Sequence, residues 1–383
     1  MRRIEELDGL RGAACLSVLL AHYFGEVAHG YRLFTLGWLG VDVFFCLSGF
    51  LIGGILLDNR DTVSYSRAFY IRRAFRIFPI YYLTIITLFM FLNHFSSIAH
   101  YARVSPVIWY LTYTQNMLAV ITNSQGGIWL RPTWTLCVEE QFYLILPLVL
   151  YLCPRRFTFQ TLIWFIASAS IFRVGLAIAG AGEIAFHVLL PARWDLLFLG
   201  VLGAYIYRNE NLWTFFTTRE NKNLKLLTVP SVLLIPFLGC LDRYFNFTVF
   251  LLFGNVFVGI AFTGYILLIV SGAPEGARFR GSALKFFGSI SYGLYLIHQP
   301  IAGILHAAIL NGYPDISTPA QLAVTVGAAG VSILIAYLSW TYFERPLIAI
   351  GHRWACAAAT PPQAISESCG LGEDMKEAAY PSV

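Results

Sequence analysis

Long apolar runs separated by short polar clusters set the pattern of this chain. They lie near 10–27, 37–57, 79–95, 134–153, 161–180, 189–207, 226–241, 248–271, 286–310 and 320–343. Most match the roughly 17–25 residues that a helix needs to cross a hydrocarbon core. No water reaches the backbone there, so a lipid-facing span outside a closed barrel must satisfy its own N–H and C=O groups as a helix. The pattern predicts an all-α fold, a polytopic membrane helix bundle of about ten transmembrane helices. The run at 226–241 is the shortest and holds Pro230 and Pro236. The stretch 105–122 is semi-apolar and aromatic, and hydropathy leaves it open as a re-entrant segment or an interfacial helix.

An even number of spans puts both termini on one side. With the N-terminus inside, nineteen of the 26 Lys and Arg residues fall in inside segments; Arg32, Arg103, Arg131 and Arg243 fall outside. This follows the positive-inside rule and makes both termini cytoplasmic. The expected location is the cytoplasmic (inner) membrane, with the lipid bilayer as partner. The membrane domain is expected over 1–354. From 355 to 383 the chain turns polar, loses apolar periodicity and reads as a disordered tail.

Composition agrees with a membrane protein. Hydrophobic residues make up 57% of the chain and charged ones 12%, against about 25% charged in a soluble domain. A soluble binding module is thereby excluded. The net charge of +5 is carried mainly by inside segments, so no nucleic-acid partner is expected. The seven cysteines form no CxxC pair and read as small buried hydrophobes. The start, MRRIEELDGLRG, mixes basic and acidic residues and does not read as a signal peptide. There is no Walker loop, no GxSxG elbow and no HExxH, so neither nucleotide hydrolysis nor a metal is expected.

Chemistry is sought among ionisable groups inside the apolar runs, because each is costly in lipid and so a functional candidate. Arg11 and His22 stand eleven residues apart in the first run. At about 100° per residue they return to nearly one face, and at about 1.5 Å rise they lie roughly 16 Å apart. Arg11, which can pair with Asp8, would then sit near one surface and His22 near mid-depth. A histidine there suits a general base, or it ties two helices together. Arg72, Arg73 and Arg76 cluster at the inner surface. Guanidinium groups grip phosphate bidentately, which suits a phosphorylated cytosolic ligand; topology alone is the other reading. Glu139 and Glu140 open the fourth span and point about 100° apart. One can face a polar interior and orient the histidine, as carboxylates do in acyl-transfer triads, or tie helices together. Trp129, Trp134, Phe142 and Tyr143 read as outer-interface aromatics. Asp42, Ser48, Arg173, Arg193, Asp195, Ser291, Tyr295, His298 and Glu344 add to the intramembrane polar set, which predicts a polar chamber inside the bundle.

In these motifs the chain resembles the acyltransferase family 3 membrane proteins, bacterial O-acyltransferases of polysaccharides and related acceptors. The matching pieces are LDGLRG at 7–12 with His22, GVDVFFCLSGFLI at 40–52, RRAFRIFPIYY at 72–82, WTLCVEEQFYLILP at 134–147, SISYGLYLIHQP at 289–300 and YFERPL at 342–347, in the family's order. The resemblance implies acetyl-CoA or another acyl-CoA as donor, used from the cytoplasm, and no metal. The implied acceptor is a hydroxyl of an extracytoplasmic or lipid-linked glycan, such as exopolysaccharide or O-antigen. It makes His22 and Glu139 the catalytic candidates, and Arg11, Arg72, Arg73 and Arg76 the CoA-binding ones. Asp42, Ser48, Glu140, Tyr295 and His298 are carried over as site-lining residues. Whether His22 removes a proton or is itself acylated stays open.

Some members acylate small molecules such as macrolides, which gives an alternative acceptor class. Others carry an added hydrolase-like domain; this chain ends in a short tail and is expected to act alone or with a partner. From another class, a proton-coupled transporter would also use buried charges in a ten-helix bundle; the arginine cluster counts against it. The sequence leaves the oligomeric state open.

Overall fold

A computed structural model describes residues 4–60, 65–244 and 250–359. Among these residues the chain is helical and has no strand. The long helices are α1 (Glu5–Leu20, prolonged by a π-helical turn over Ala21–Gly25), α2 (Leu39–Asp58), α3 (Tyr65–His94), α4 (Trp134–Leu152) and α5 (Thr158–Ile178). They continue with α6 (Leu190–Arg208), α7 (Glu210–Tyr244), α8 (Asn255–Val270), α9 (Ser282–Leu310), α10 (Pro319–Ser339) and α11 (Arg345–Ala359).

Among the described residues, eight helical stretches are long and apolar enough to cross a membrane, the mark of a multi-pass membrane protein. They carry eight of the ten predicted runs. The run at 10–27 falls on α1, which Asp8, Arg11 and His22 make less apolar. The run at 226–241 falls on α7, whose side chains from 236 onward lie outside the described ones. The last stretch is longer than its predicted run. It continues from α10 through a π-helical turn at Trp340–Glu344 into α11, so the expected polar tail is helical at its start, 355–359. Residues 360–383 lie outside the described ones. The ambiguous stretch 105–122 holds two short helices, Val107–Leu111 and Gln115–Ile121, neither long enough to span. From this stretch buried Gln115 and Asn116 donate to the carbonyl oxygens of Thr133 (3.2 Å) and Val188 (3.0 Å).

Two backbone-to-backbone crossings organise the bundle. A Cβ on Gly12 of α1 would stand 1.9 Å from the Leu284 carbonyl oxygen of α9, and one on Gly288 would stand 2.0 Å from that of Asp8. Helices α2 and α6 meet similarly, at 1.9 Å from Gly49 to the Leu197 oxygen and 2.1 Å from Gly200 to the Cys46 oxygen. Between helices in lipid there is little hydrophobic drive, so close van der Waals contact at small residues does the holding.

A buried ionic network braces the same region. Arg193 of α6 pairs with Asp42 of α2 and donates to Asn255 Oδ1 of α8 at 3.1 Å. Arg173 of α5 pairs with Asp195 at 2.8 Å and donates to the carbonyl oxygens of Leu252 and Ala192 at 2.8 and 2.6 Å. Asp42, expected as a site-lining residue, is instead fully buried in this brace. The charge must be neutralised where no water reaches it, and Arg193 does so.

Gly12→Val is expected to destabilise the fold by about 1–3 kcal/mol through overpacking, lowering the midpoint of thermal unfolding in detergent. Gly175→Ala is the control, since a Cβ there meets nothing within 4 Å; equal midpoints for the two would contradict the crossing. Arg193→Met alone strands the Asp42 carboxylate and is expected to cost about 3–5 kcal/mol. Adding Asp42→Leu should recover much of that loss in the same assay; no recovery would refute the pairing.

Candidate active site

Five helices enclose a cavity of about 80 Å³. Helical spacing explains which side chains reach it. On α4, Thr135, Glu139 and Tyr143 recur every four residues on one face, and on α9 Ser291 and Tyr295 do the same. On α3, Arg73, Arg76 and Ile77 fall together, as do Phe44, Phe45 and Ser48 on α2. Arg11 completes the wall from α1.

Within the cavity the Ser48 hydroxyl donates to Glu139 Oε1 at 2.8 Å, and the Tyr143 hydroxyl donates to Ser48 Oγ at 3.3 Å. Arg73 lies over the rings of Phe69 and Tyr143, 5.9 and 5.5 Å from their centroids. Arg11 stands 3.7 Å from Asp8. Three arginines (Arg11, Arg73, Arg76) face one carboxylate (Glu139), so the lining carries an excess of positive charge. A cationic wall beside an apolar one suits an anionic group joined to a less polar chain.

Tyr295 closes one end of the cavity. Its hydroxyl bonds Thr135 Oγ1 at 3.0 Å and donates to the Pro132 carbonyl at 3.2 Å. Its ring centroid lies 5.8 Å from that of His298, one turn further along α9. There His22 and His298 meet, with 2.7 Å between His22 Nδ1 and His298 Nε2. On the other side, His22 Nε2 stands 3.9 Å from Glu26 Oε1, and Glu26 pairs with Arg131. Gly303 of α9 lies against the buried Trp129 indole, where a Cβ would come within 1.9 Å of its nitrogen.

The predicted residues therefore separate. Arg11, Ser48, Arg73, Arg76, Glu139 and Tyr295 line the cavity. Arg72 does not: one step from Arg73 turns it about 100° away, and its Nε donates to the Ala68 carbonyl of its own helix at 3.3 Å. Glu140 leaves the lining for the same angular reason, and Asp42 belongs to the ionic brace. His298 was expected as a lining residue but lies beyond Tyr295 as the partner of His22. His22 meets His298 near the middle of α9. Helix α1 starts at Glu5 and its π-helical turn ends at Gly25, so His22 stands in the last turn, beside Glu26. Glu139 bonds Ser48, not His22.

The expected single polar chamber is thus three separate arrangements: the brace, the cavity and the histidine pair. The aromatics read as an interface belt pack inward, with Trp129 and Phe142 fully buried and Tyr143 in the cavity wall. Sequence reasoning missed Thr135, Tyr143 and Tyr292 of the lining and the Glu26–Arg131 pair. The four-residue spacing of His22 and Glu26 was the available signal that Glu26 lies beside the histidine.

The acyltransferase domain family 3 profile matches residues 4–340. The Bacillus subtilis protein YrhL, provisionally named a peptidoglycan O-acetyltransferase, is 27% identical over 92% of this chain and 56% of its own length. The peptidoglycan O-acetyltransferase OatA of Listeria monocytogenes is 25% identical over 90% of this chain and 56% of its own. The O-acetyltransferase OatA of Staphylococcus aureus is 25% identical over 90% of this chain and 57% of its own. The chain thus spans little more than half the length of the curated relatives it matches. No solved structure matches it. With the profile covering nearly all of the helices that build the cavity and the histidine pair, the chain belongs to the acyltransferase 3 family.

Proposed function

We propose that this chain transfers an acyl group, acetyl before others, from cytoplasmic acyl-CoA to a hydroxyl of an extracytoplasmic or lipid-linked glycan. The observation that carries this is the three-arginine cavity whose far end, Tyr295, adjoins the His22–His298 pair. The cationic lining fits the phosphates of a CoA thioester, with Arg73, Arg76 and Arg11 as their contacts and Ser48 and Glu139 along the path of its acyl arm. Placement of the arginines on the inner side rests on the positive-inside count, and the inner membrane follows from it. The relatives named as peptidoglycan O-acetyltransferases make a cell-wall or envelope glycan the favoured acceptor.

In the reaction, His22 takes the proton of the acceptor hydroxyl. That oxygen bonds the acyl carbon, the C–S bond breaks, and the departing thiolate takes up a proton. A thioester is already activated, so a positioned base can supply roughly 10²–10⁴ of the rate.

The test is acetyl-CoA turnover by the purified protein in nanodiscs, read as free thiol, with a cell-envelope glycan fraction added. Acceptor-dependent release is expected, and His22→Ala should lower it by roughly 10²-fold or more. A folded protein that binds no acetyl-CoA would overturn the proposal. Arg73→Ala and Arg76→Ala should each raise KM for acetyl-CoA by roughly tenfold, the value of a lost charged hydrogen bond. Arg72→Ala should leave it near wild type; an equal effect from Arg72 would remove the cavity as the donor site.

A further inference from the structure

We propose that His298 is a positioning residue that locks His22 into a single tautomer, with its proton on Nδ1 and its Nε2 bare towards the acceptor hydroxyl. The inference deepens the proposed role of His22 and rests on it.

The argument starts from a carbonyl. His298 Nδ1 lies 3.1 Å from the Leu294 carbonyl oxygen, four residues earlier on α9. A carbonyl only accepts, so His298 Nδ1 must carry the proton. In the neutral ring His298 Nε2 is then a bare lone pair. That lone pair faces His22 Nδ1 at 2.7 Å, so His22 Nδ1 must be the donor. With its one proton placed there, His22 Nε2 is left as the base. The opposite assignment keeps the nitrogen-to-nitrogen hydrogen bond but sets two lone pairs against each other at the Leu294 carbonyl. No other neutral arrangement satisfies all three atoms.

The surroundings hold the pair in this geometry. The two rings are within 7° of parallel with centroids 5.0 Å apart, and their closest approach is nitrogen to nitrogen, an edge-to-edge hydrogen bond. The Tyr23 hydroxyl donates to the His298 carbonyl at 2.7 Å and lies 3.0 Å from Ser332 Oγ. His298 is buried, and Tyr295 packs on its ring. The one carboxylate that an ion-pair contact places beside His22 is Glu26, on its Nε2 side and paired to Arg131.

The arrangement gives the logic of a catalytic triad with a neutral ring in place of the carboxylate. In water an imidazole prefers its proton on Nε2, the wrong nitrogen for this base. When His22 accepts a second proton on Nε2, its Nδ1 proton can move onto His298 Nε2. His298 then holds both of its protons, with Nδ1–H still on the Leu294 carbonyl, and His22 returns to a neutral ring with its remaining proton on Nε2.

The experiment is nitrogen NMR of the whole protein, labelled in histidine, substrate-free in nanodiscs at a pH where the pair is neutral. The His22 signals are identified by their loss in His22→Gln. Wild type should show a protonated Nδ1 and a bare Nε2 on His22. His298→Leu should move the His22 proton largely to Nε2 and lower kcat roughly 10²-fold, with KM for acetyl-CoA within about twofold. His298→Gln, which keeps an acceptor near the old Nε2 position, should hold the Nδ1 proton and restore most of kcat. If His298→Leu fails to fold, wild type and His298→Gln decide. A wild-type His22 protonated on Nε2, or a tautomer unchanged in His298→Leu, would overturn the lock. A lock intact in the spectrum beside full turnover in His22→Ala would support the lock and sink the proposed function instead.

Discussion

Helices α1 and α9 touch through their backbones at Gly12 and Gly288, with no side chain between them. That contact fixes both the distance and the rotation of one helix against the other. Arg11 consequently enters the cavity beside Ser291 and Tyr295, and His22, three turns on, meets His298. A larger residue at either glycine would push the helices apart and loosen both ends together. The cavity and the histidine pair are two consequences of one crossing, held by dispersion and close fit where apolar burial gives little preference for protein over lipid.

Around this axis the ionisable groups are sorted by whether their charge is neutralised inside the protein. Asp42 with Arg193 and Asp195 with Arg173 form pairs deep in the bundle, supported by Asn255 and backbone carbonyls. Their work is mechanical, since breaking a buried pair is far more harmful than lacking one. The cavity is different: Arg11, Arg73 and Arg76 outnumber Glu139 there. An unbalanced set of guanidinium groups is tolerable beside a cavity and favourable when an anion enters it. The third arrangement, His22 with His298, can be neutral at rest with both His298 nitrogens and His22 Nδ1 hydrogen-bonded, which leaves His22 Nε2 free to take a proton.

Several features were legible from residue order alone. Runs of apolar residues fixed the helical class, because an unpaired backbone in lipid leaves few alternatives. Four- and three-residue spacings put Ser291, Tyr295 and His298 on one face, and the 100° step between neighbours separated Glu139 from Glu140 as a pair of which one faces inward, whereas Arg72, Arg73 and Arg76 read as one cluster. The motifs at 7–12, 40–52, 72–82 and 134–147 already resembled the family that the profile match established. The charged turn Glu5–Asp8 belongs to the same helix as the apolar run, so His22 falls in the π-helical turn that ends it.

What residue order determined, then, is everything set within one helix: its existence, its apolar face and the angle between two of its side chains. Those follow from a fixed rise and rotation per residue. Tertiary structure alone decided which faces meet. His298 is 276 positions from His22, and Arg193 is 151 from Asp42. No local rule links such pairs, because their approach depends on how far each helix turns about its own axis when it packs. Backbone contacts at a few glycines set that turn here, and through it the partner of His22, the neutralisation of Asp42 and the choice of Arg73 over Arg72 for the cavity.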